Sequence, residues 1–103
     1  MVRLGIIGCG KITQRACLPN LACHSDVKIE ILCDIDKKAA LRQKQKFNLK
    51  DSIIETDWIK TMESNKINAV YVATPNYLHA RMCILAAENK KHILVEKPMT
   101  LSV

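Results

Sequence analysis

The largely apolar run Val2–Ile7 passes without a break into Gly8-Cys9-Gly10 and then into a stretch with helical character from Lys11. A strand that stops at two glycines, one residue apart, and continues as a helix is the opening of a βαβ unit, and few folds begin this way. The rest of the chain repeats the alternation. Short aliphatic runs, rich in Ile, Val and Leu, are separated by longer amphipathic stretches. That alternation predicts a parallel sheet with crossover helices, and no internal repeat or low-complexity segment interrupts it.

The spacing predicts strands over Val2–Ile7, Val27–Cys33, Ser52–Ile54, Ala69–Ala73 and His92–Val95. A first helix is expected from Lys11 towards Leu18, where Pro19 ends or kinks it. Asp36 is a natural N-cap for a second helix through Ala39, Ala40, Gln43 and Phe47. Thr56 is expected to cap a brief third helix holding Trp58, Ile59 and Met62. Asn76 is expected to cap the longest helix, with Leu78, Met82, Leu85 and Ala86 on one face and Asn89 at its end. The expected fold is therefore a doubly wound α/β sheet of about five strands in the order 3-2-1-4-5, one domain spanning residues 1–103.

Composition narrows the function classes. With four aromatic residues (Phe47, Trp58, Tyr71 and Tyr77), the core must be aliphatic. The formal charge of +6 is spread over many lysines with no interleaved aromatics, which argues for a solvated surface and against a single-stranded nucleic-acid groove. Five cysteines, odd in number and without a Cys-x-x-Cys pair, read as reduced thiols in a cytoplasmic protein, and they lack zinc-finger spacing to His. The apolar start is too short for a signal peptide or a membrane span.

Four motifs carry the candidate chemistry. In Gly8-Cys9-Gly10-Lys11-Ile12-Thr13, Gly8 permits the tight turn and Gly10 lets a pyrophosphate approach the helix N-terminus, where free N–H groups favour anions. Thr13 stands where the fingerprint has its third glycine. Asp34 ends the second strand, 24 residues after Gly10, near the spacing of the acid that binds an adenosine ribose. A carboxylate there repels a 2′-phosphate and argues for NAD over NADP, although Lys37 and Lys38 lie close by and soften that discrimination. Thr74, Pro75 and Asn76 follow the fourth strand and offer short polar groups at the switch point, with His79 in the first turn of the next helix. Glu96-Lys97-Pro98 follows the fifth strand, and a lysine at the carboxyl end of a parallel strand faces the ligand crevice.

Taken in order, these motifs resemble the N-terminal domain of the glucose–fructose oxidoreductase/inositol dehydrogenase family, known as Gfo/Idh/MocA. The resemblance covers Leu4 to Ser102. Its specific part is Ala-Thr-Pro-Asn-x-x-His followed, after one strand, by Glu-Lys-Pro. It implies a Rossmann domain binding NAD or NADP, with Gly8, Gly10, Lys11 and Ile12 at the pyrophosphate and Asp34 at the adenosine ribose. It further implies that Thr74, Pro75, Asn76 and His79 line the cofactor site, that Glu96 contacts the nicotinamide-side ribose, and that Lys97 is the catalytic group on the reacting hydroxyl or carbonyl of a sugar or polyol. A nicotinamide cation and burial would lower the lysine pKa from its usual value of about 10.4, and Glu96 would raise it.

The family's second domain, which supplies substrate contacts and the oligomer interface, is not in the sequence, nor is a sixth strand. The chain is accordingly expected to bind a dinucleotide without turning over substrate by itself, and to form a homo-oligomer when full length. Two other readings stay open: a non-catalytic dinucleotide-binding sensor, against which Lys97 speaks, and an S-adenosylmethionine site, against which the motifs after the fourth and fifth strands speak.

Overall fold

The computed structural model describes residues 2–8, 26–73 and 76–95, with the backbone only for 76–79 and 94–95. The helix expected from Lys11 lies outside the described residues. The elements are β1 (Val2–Ile7), β2 (Val27–Cys33), α1 (Lys37–Lys46), β3 (Ile53–Glu55), α2 (Trp58–Glu63), β4 (Ala69–Val72), α3 (Asn76–Glu88) and β5 (His92–Val95). The five strands form one parallel sheet in the order β3-β2-β1-β4-β5, the predicted order.

The sheet is covered on both faces, as a parallel sheet requires. On one face Leu4, Ile6, Ile29, Leu32 and Ala69 pack with Ala39 and Ala40 of α1. On the other Ile7, Ile31, Cys33, Val70 and Val72 pack with Met62 of α2 and with Met82 and Ala86 of α3. Side chains alternate along a strand, so Ile29 and Ile31 should share a face. They do not, because the β1–β2 register jumps from Leu4↔Ile29 to Gly5↔Ile31. The extra residue, Glu30, is a bulge that re-aims everything after it. Without it Leu32 would point away from α1. The buried Ser52 hydroxyl donates to the Ile29 carbonyl, and the Ser52 N–H donates to Leu49 in the turn before β3. Ser52 is thus committed to those bonds, and β3 begins one residue later than the sequence suggests.

Helix starts and stops follow local chemistry. Asp36 caps α1 through its carboxylate, which accepts from the Lys38 N–H at 3.0 Å. The cap of α2 is Asp57, accepting from Ile59 at 2.9 Å, and not Thr56. A carboxylate at an N-cap faces the helix dipole and outcompetes a hydroxyl one residue upstream. Asn76 is the first residue of α3.

Both α1 and α3 end in Schellman turns. The Leu49 N–H donates to Lys44 and the Asn48 N–H to Gln45; the Lys91 N–H donates to Ala86 and the Lys90 N–H to Ala87. The left-handed residues are Asn48 (φ 55°) and Lys90 (φ 59°). Asn tolerates that region; lysine does so only with strain. Lys90→Gly should therefore stabilise the chain by about 0.5–1 kcal/mol and raise its melting temperature by roughly 3–6 °C. A thermal melt unchanged or lowered by the substitution would contradict this.

Lys91 departs from the expectation of a purely solvated lysine surface. Its ammonium donates to the Ser64 carbonyl at 2.6 Å and to the Ile67 carbonyl at 2.8 Å, closing the end of α2 against the start of β5. Partial burial, reinforced by the nearby Arg3 charge, pushes its pKa down.

Candidate functional site

The carboxyl ends of four strands are joined by backbone hydrogen bonds beyond the regular ladders. The Gly8 N–H donates to the Cys33 carbonyl at 2.8 Å, the Asp34 N–H to Glu55 at 3.0 Å, and the Ala73 N–H to Ile7 at 2.8 Å. Gly8, Asp34, Glu55 and Ala73 therefore lie along one edge of the sheet. The topological switch point, where order reverses between β1 and β4, is in the middle of that edge.

Gly8 has φ 97°, a left-handed conformation that side chains rarely adopt. The chain thus leaves β1 at its carboxyl end with no Cβ over the switch point.

Asp34 is half-buried at the end of β2, and its Oδ1 accepts from the Asp36 N–H at 2.9 Å. This Asx turn fixes the carboxylate and passes the chain directly into the Asp36 cap of α1. Ile35, between the two acids, is 87% exposed. Of the sequence-predicted site residues, the structure brings Gly8 and Asp34 to the same edge and starts α3, with Asn76 and His79 in its first turn, three residues beyond Ala73. Gly10, Lys11, Ile12, Thr74, Pro75, Glu96 and Lys97 lie outside the described residues.

Two acids at this edge were not among the expected site residues. Glu55 ends β3, and its Oε2 accepts from both the Thr56 and Asp57 N–H groups, at 2.9 and 3.0 Å. Asp57 is occupied as the α2 cap. The signal for Glu55 was available: it follows Ile53-Ile54 as Asp34 follows Leu32-Cys33. Cys33 lies beneath these carboxylates. Its thiol is pushed up to about 11, by burial first and then by the charges of Glu55, Asp34 and Asp57, against a hydrogen bond to Thr61 that lowers it. It stays protonated at neutral pH and is a poor nucleophile.

A hollow of about 200 Å³, lined by Val27, Lys28, Asn48, Lys50 and neighbours, sits at the opposite, amino end of β2. It is remote from the glycine turn and contains none of the motif residues. Among the described residues no helix is long and apolar enough to cross a membrane.

Comparison with known proteins identifies the family. Residues 2–103 match the family model for the Gfo/Idh/MocA oxidoreductases, described as an oxidoreductase family with an NAD-binding Rossmann fold. An uncharacterized oxidoreductase, ORF334, of Rhizobium meliloti is 33% identical over 103 residues, covering all of this chain and 30% of that protein. The 2,7-anhydro-N-acetylneuraminate hydratase of Escherichia coli is 34% identical over 106 residues, covering 99% of this chain and 26% of the enzyme. The crystal structure of KijD10, a 3-ketoreductase from Actinomadura kijaniata in complex with NADP and TDP-benzene, superposes with a TM-score of 0.84 at 30% identity, covering 94% of this chain and 29% of that one. The chain thus spans under a third of the length of these relatives. On the match across residues 2–103, the chain belongs to the Gfo/Idh/MocA oxidoreductase family, as its NAD-binding Rossmann-fold part.

Proposed function

We propose that the chain is the dinucleotide-binding part of an NAD(P)-dependent oxidoreductase that moves hydride between nicotinamide and a hydroxyl or carbonyl of a sugar or polyol. One observation carries the reading: a positive-φ glycine at the end of β1 and a backbone-fixed carboxylate at the end of β2 share the switch-point edge. The 3-ketoreductase KijD10, with its NADP and TDP-benzene, supports the sugar-like substrate class.

In this reading Gly8 and Gly10, with Lys11 and Ile12 opening the helix, hold the pyrophosphate, and Asp34 accepts hydrogen bonds from the adenosine ribose hydroxyls. Thr74, Pro75, Asn76 and His79 line the nicotinamide half, and Glu96 meets its ribose. Bound nicotinamide supplies the hydride acceptor or donor. Lys97 holds the proton at the substrate oxygen, taking it from a hydroxyl or giving it to a carbonyl. The substrate domain, the oligomer interface and a cytoplasmic setting, for which the odd number of cysteines without a Cys-x-x-Cys pair speaks, belong to the same proposal. So does the inactivity of the 103-residue chain on its own, which a substrate-dependent NADH signal from it would refute.

A second reading is favoured by the E. coli hydratase among the relatives: the same dinucleotide edge would serve a net addition or removal of water. An assay of the full-length enzyme for net NADH formation separates the two.

Asp34→Ala tests the ribose role. Loss of hydrogen bonds to a charged acceptor is worth about 1.5–3 kcal/mol, so NADH affinity should fall roughly 10- to 100-fold. NADPH should lose less, because a like charge facing its 2′-phosphate disappears as well. Fluorescence titration reads both constants. If neither changes, Asp34 does not hold the ribose.

A further inference from the structure

We infer that Glu55, at the end of β3, is a second determinant of cofactor choice, disfavouring the 2′-phosphate that Lys37 and Lys38 would welcome. The inference rests on the proposed dinucleotide site. Three observations support it.

The first is position. Cys33 pairs with Glu55 across β2 and β3, and the next residue, Asp34, donates its N–H to the Glu55 carbonyl at 3.0 Å. The two carboxylate-bearing residues are therefore adjacent along the edge, with Glu55 outboard of Asp34. Group by group, the edge from β1 to β3 reads glycine turn, Asp34, Glu55.

The second is immobilisation. The Glu55 carboxylate is not a free surface acid that can swing aside. Both bonds to its Oε2 come from the backbone of the turn into α2, at 2.9 and 3.0 Å, and the residue is half-buried. A charge fixed this way keeps its field at the strand end, where a mobile side chain would relax away from an incoming anion.

The third is the balance of charge. Lys37 and Lys38, in the first turn of α1, are exposed, and on charge alone they would welcome a 2′-phosphate. Asp34 and Asp36 oppose them, each held, like Glu55, by a backbone N–H. Glu55 adds a third fixed negative charge on the β3 side. The Cys33 thiol, raised first by burial, is raised further by the charges of Glu55, Asp34 and Asp57 in the same region. A phosphate at this edge meets the carboxylates of both Asp34 and Glu55 as well as the lysines.

The experiment is fluorescence titration of the chain and of Glu55→Gln and Glu55→Ala with NADH and NADPH. Glutamine keeps an acceptor for the Thr56 and Asp57 N–H groups and loses only the charge. Both variants should bind NADPH ~3- to 10-fold more tightly than the parent, with NADH within about twofold. The gain should shrink as salt is raised from about 0.01 to 0.15 M, where the screening length falls from about 30 to 8 Å. A Glu55→Gln chain with an unchanged NADPH-to-NADH ratio overturns the inference while leaving the dinucleotide site standing. So does a shift confined to Glu55→Ala, or a Glu55→Gln chain that no longer melts cooperatively, since either makes the carboxylate a turn element only. If the parent binds neither nucleotide, the site itself is refuted and the inference falls with it.

Discussion

Lys97→Ala, made in an enzyme in which this domain carries its substrate domain, should lower turnover ~10²- to 10⁴-fold and leave NADH affinity within about twofold. The expectation rests on the proposed function and on where the chain is heading. β5 runs parallel to β4, with Val72 opposite Val95, so it ends at the edge that holds Gly8 and Asp34. Lys97 is two residues further along the sequence. Oxidising a hydroxyl requires its proton to leave as the hydride does, and reducing a carbonyl requires one to arrive. An ammonium at that oxygen also stabilises the negative charge that develops on it. These interactions are stronger in the transition state than in the ground state, so their loss falls on kcat, not on nucleotide binding. Lys97→Arg separates the two roles. It keeps a permanent charge and donors but does not cycle a proton at neutral pH. Partial activity with a flattened pH profile is expected. Equal turnover in Lys97→Ala and parent would remove the lysine from the mechanism.

How much of this was legible in the sequence depends on whether a feature is local. Strand identity and order followed from aliphatic runs and the βα alternation, and the Asp36 cap from its place before Lys37-Lys38-Ala39-Ala40. Gly8 and Asp34 could be placed at one edge because parallel strands share a direction. The Glu30 bulge could not be read, because it is a relation between β1 and β2 and leaves no mark in either strand by itself. The start of β3 shifted for the same reason: Ser52 answers to a carbonyl 23 residues away. The α2 cap lies one residue later than the expected Thr56, on Asp57, a choice that only the N–H geometry decides. Glu55 was overlooked because its counterpart, Asp34, matched a known spacing and the β3 end had none to match. Lys91 looked like one more surface lysine until two carbonyls converged on it.

Gly5→Val should damage the fold severely, and the reason is the reverse of that at Gly8. Gly5 lies in the middle of β1, and it is space that forbids a side chain there. A Cβ at this position would stand 2.9 Å from Ile67 Cδ1 and 3.1 Å from Thr61 Cγ2. Ile67 is 2% exposed and Thr61 fully buried, so neither has solvent to move into. Valine's preference for strands works the other way, but that scale spans only about 1 kcal/mol. Overpacking costs about 1–3 kcal/mol for one added group, and valine adds two methyls beyond the Cβ. Overpacking wins. Gly5→Ala should lose about 1–3 kcal/mol, and Gly5→Val more, enough to lower the melting temperature by roughly 10–20 °C or prevent folding at 37 °C. The contact also predicts its own remedy. Ile67→Val removes the Cδ1 atom that the new Cβ would strike, so in the Gly5→Ala background it should recover part of the loss, although alone it destabilises by about 0.5–1.5 kcal/mol. Urea titration of the four chains gives the coupling between the two sites. Additive losses would show that Ile67 is not the obstacle, and a Gly5→Val chain melting like the parent would show that β1 has room at this position after all.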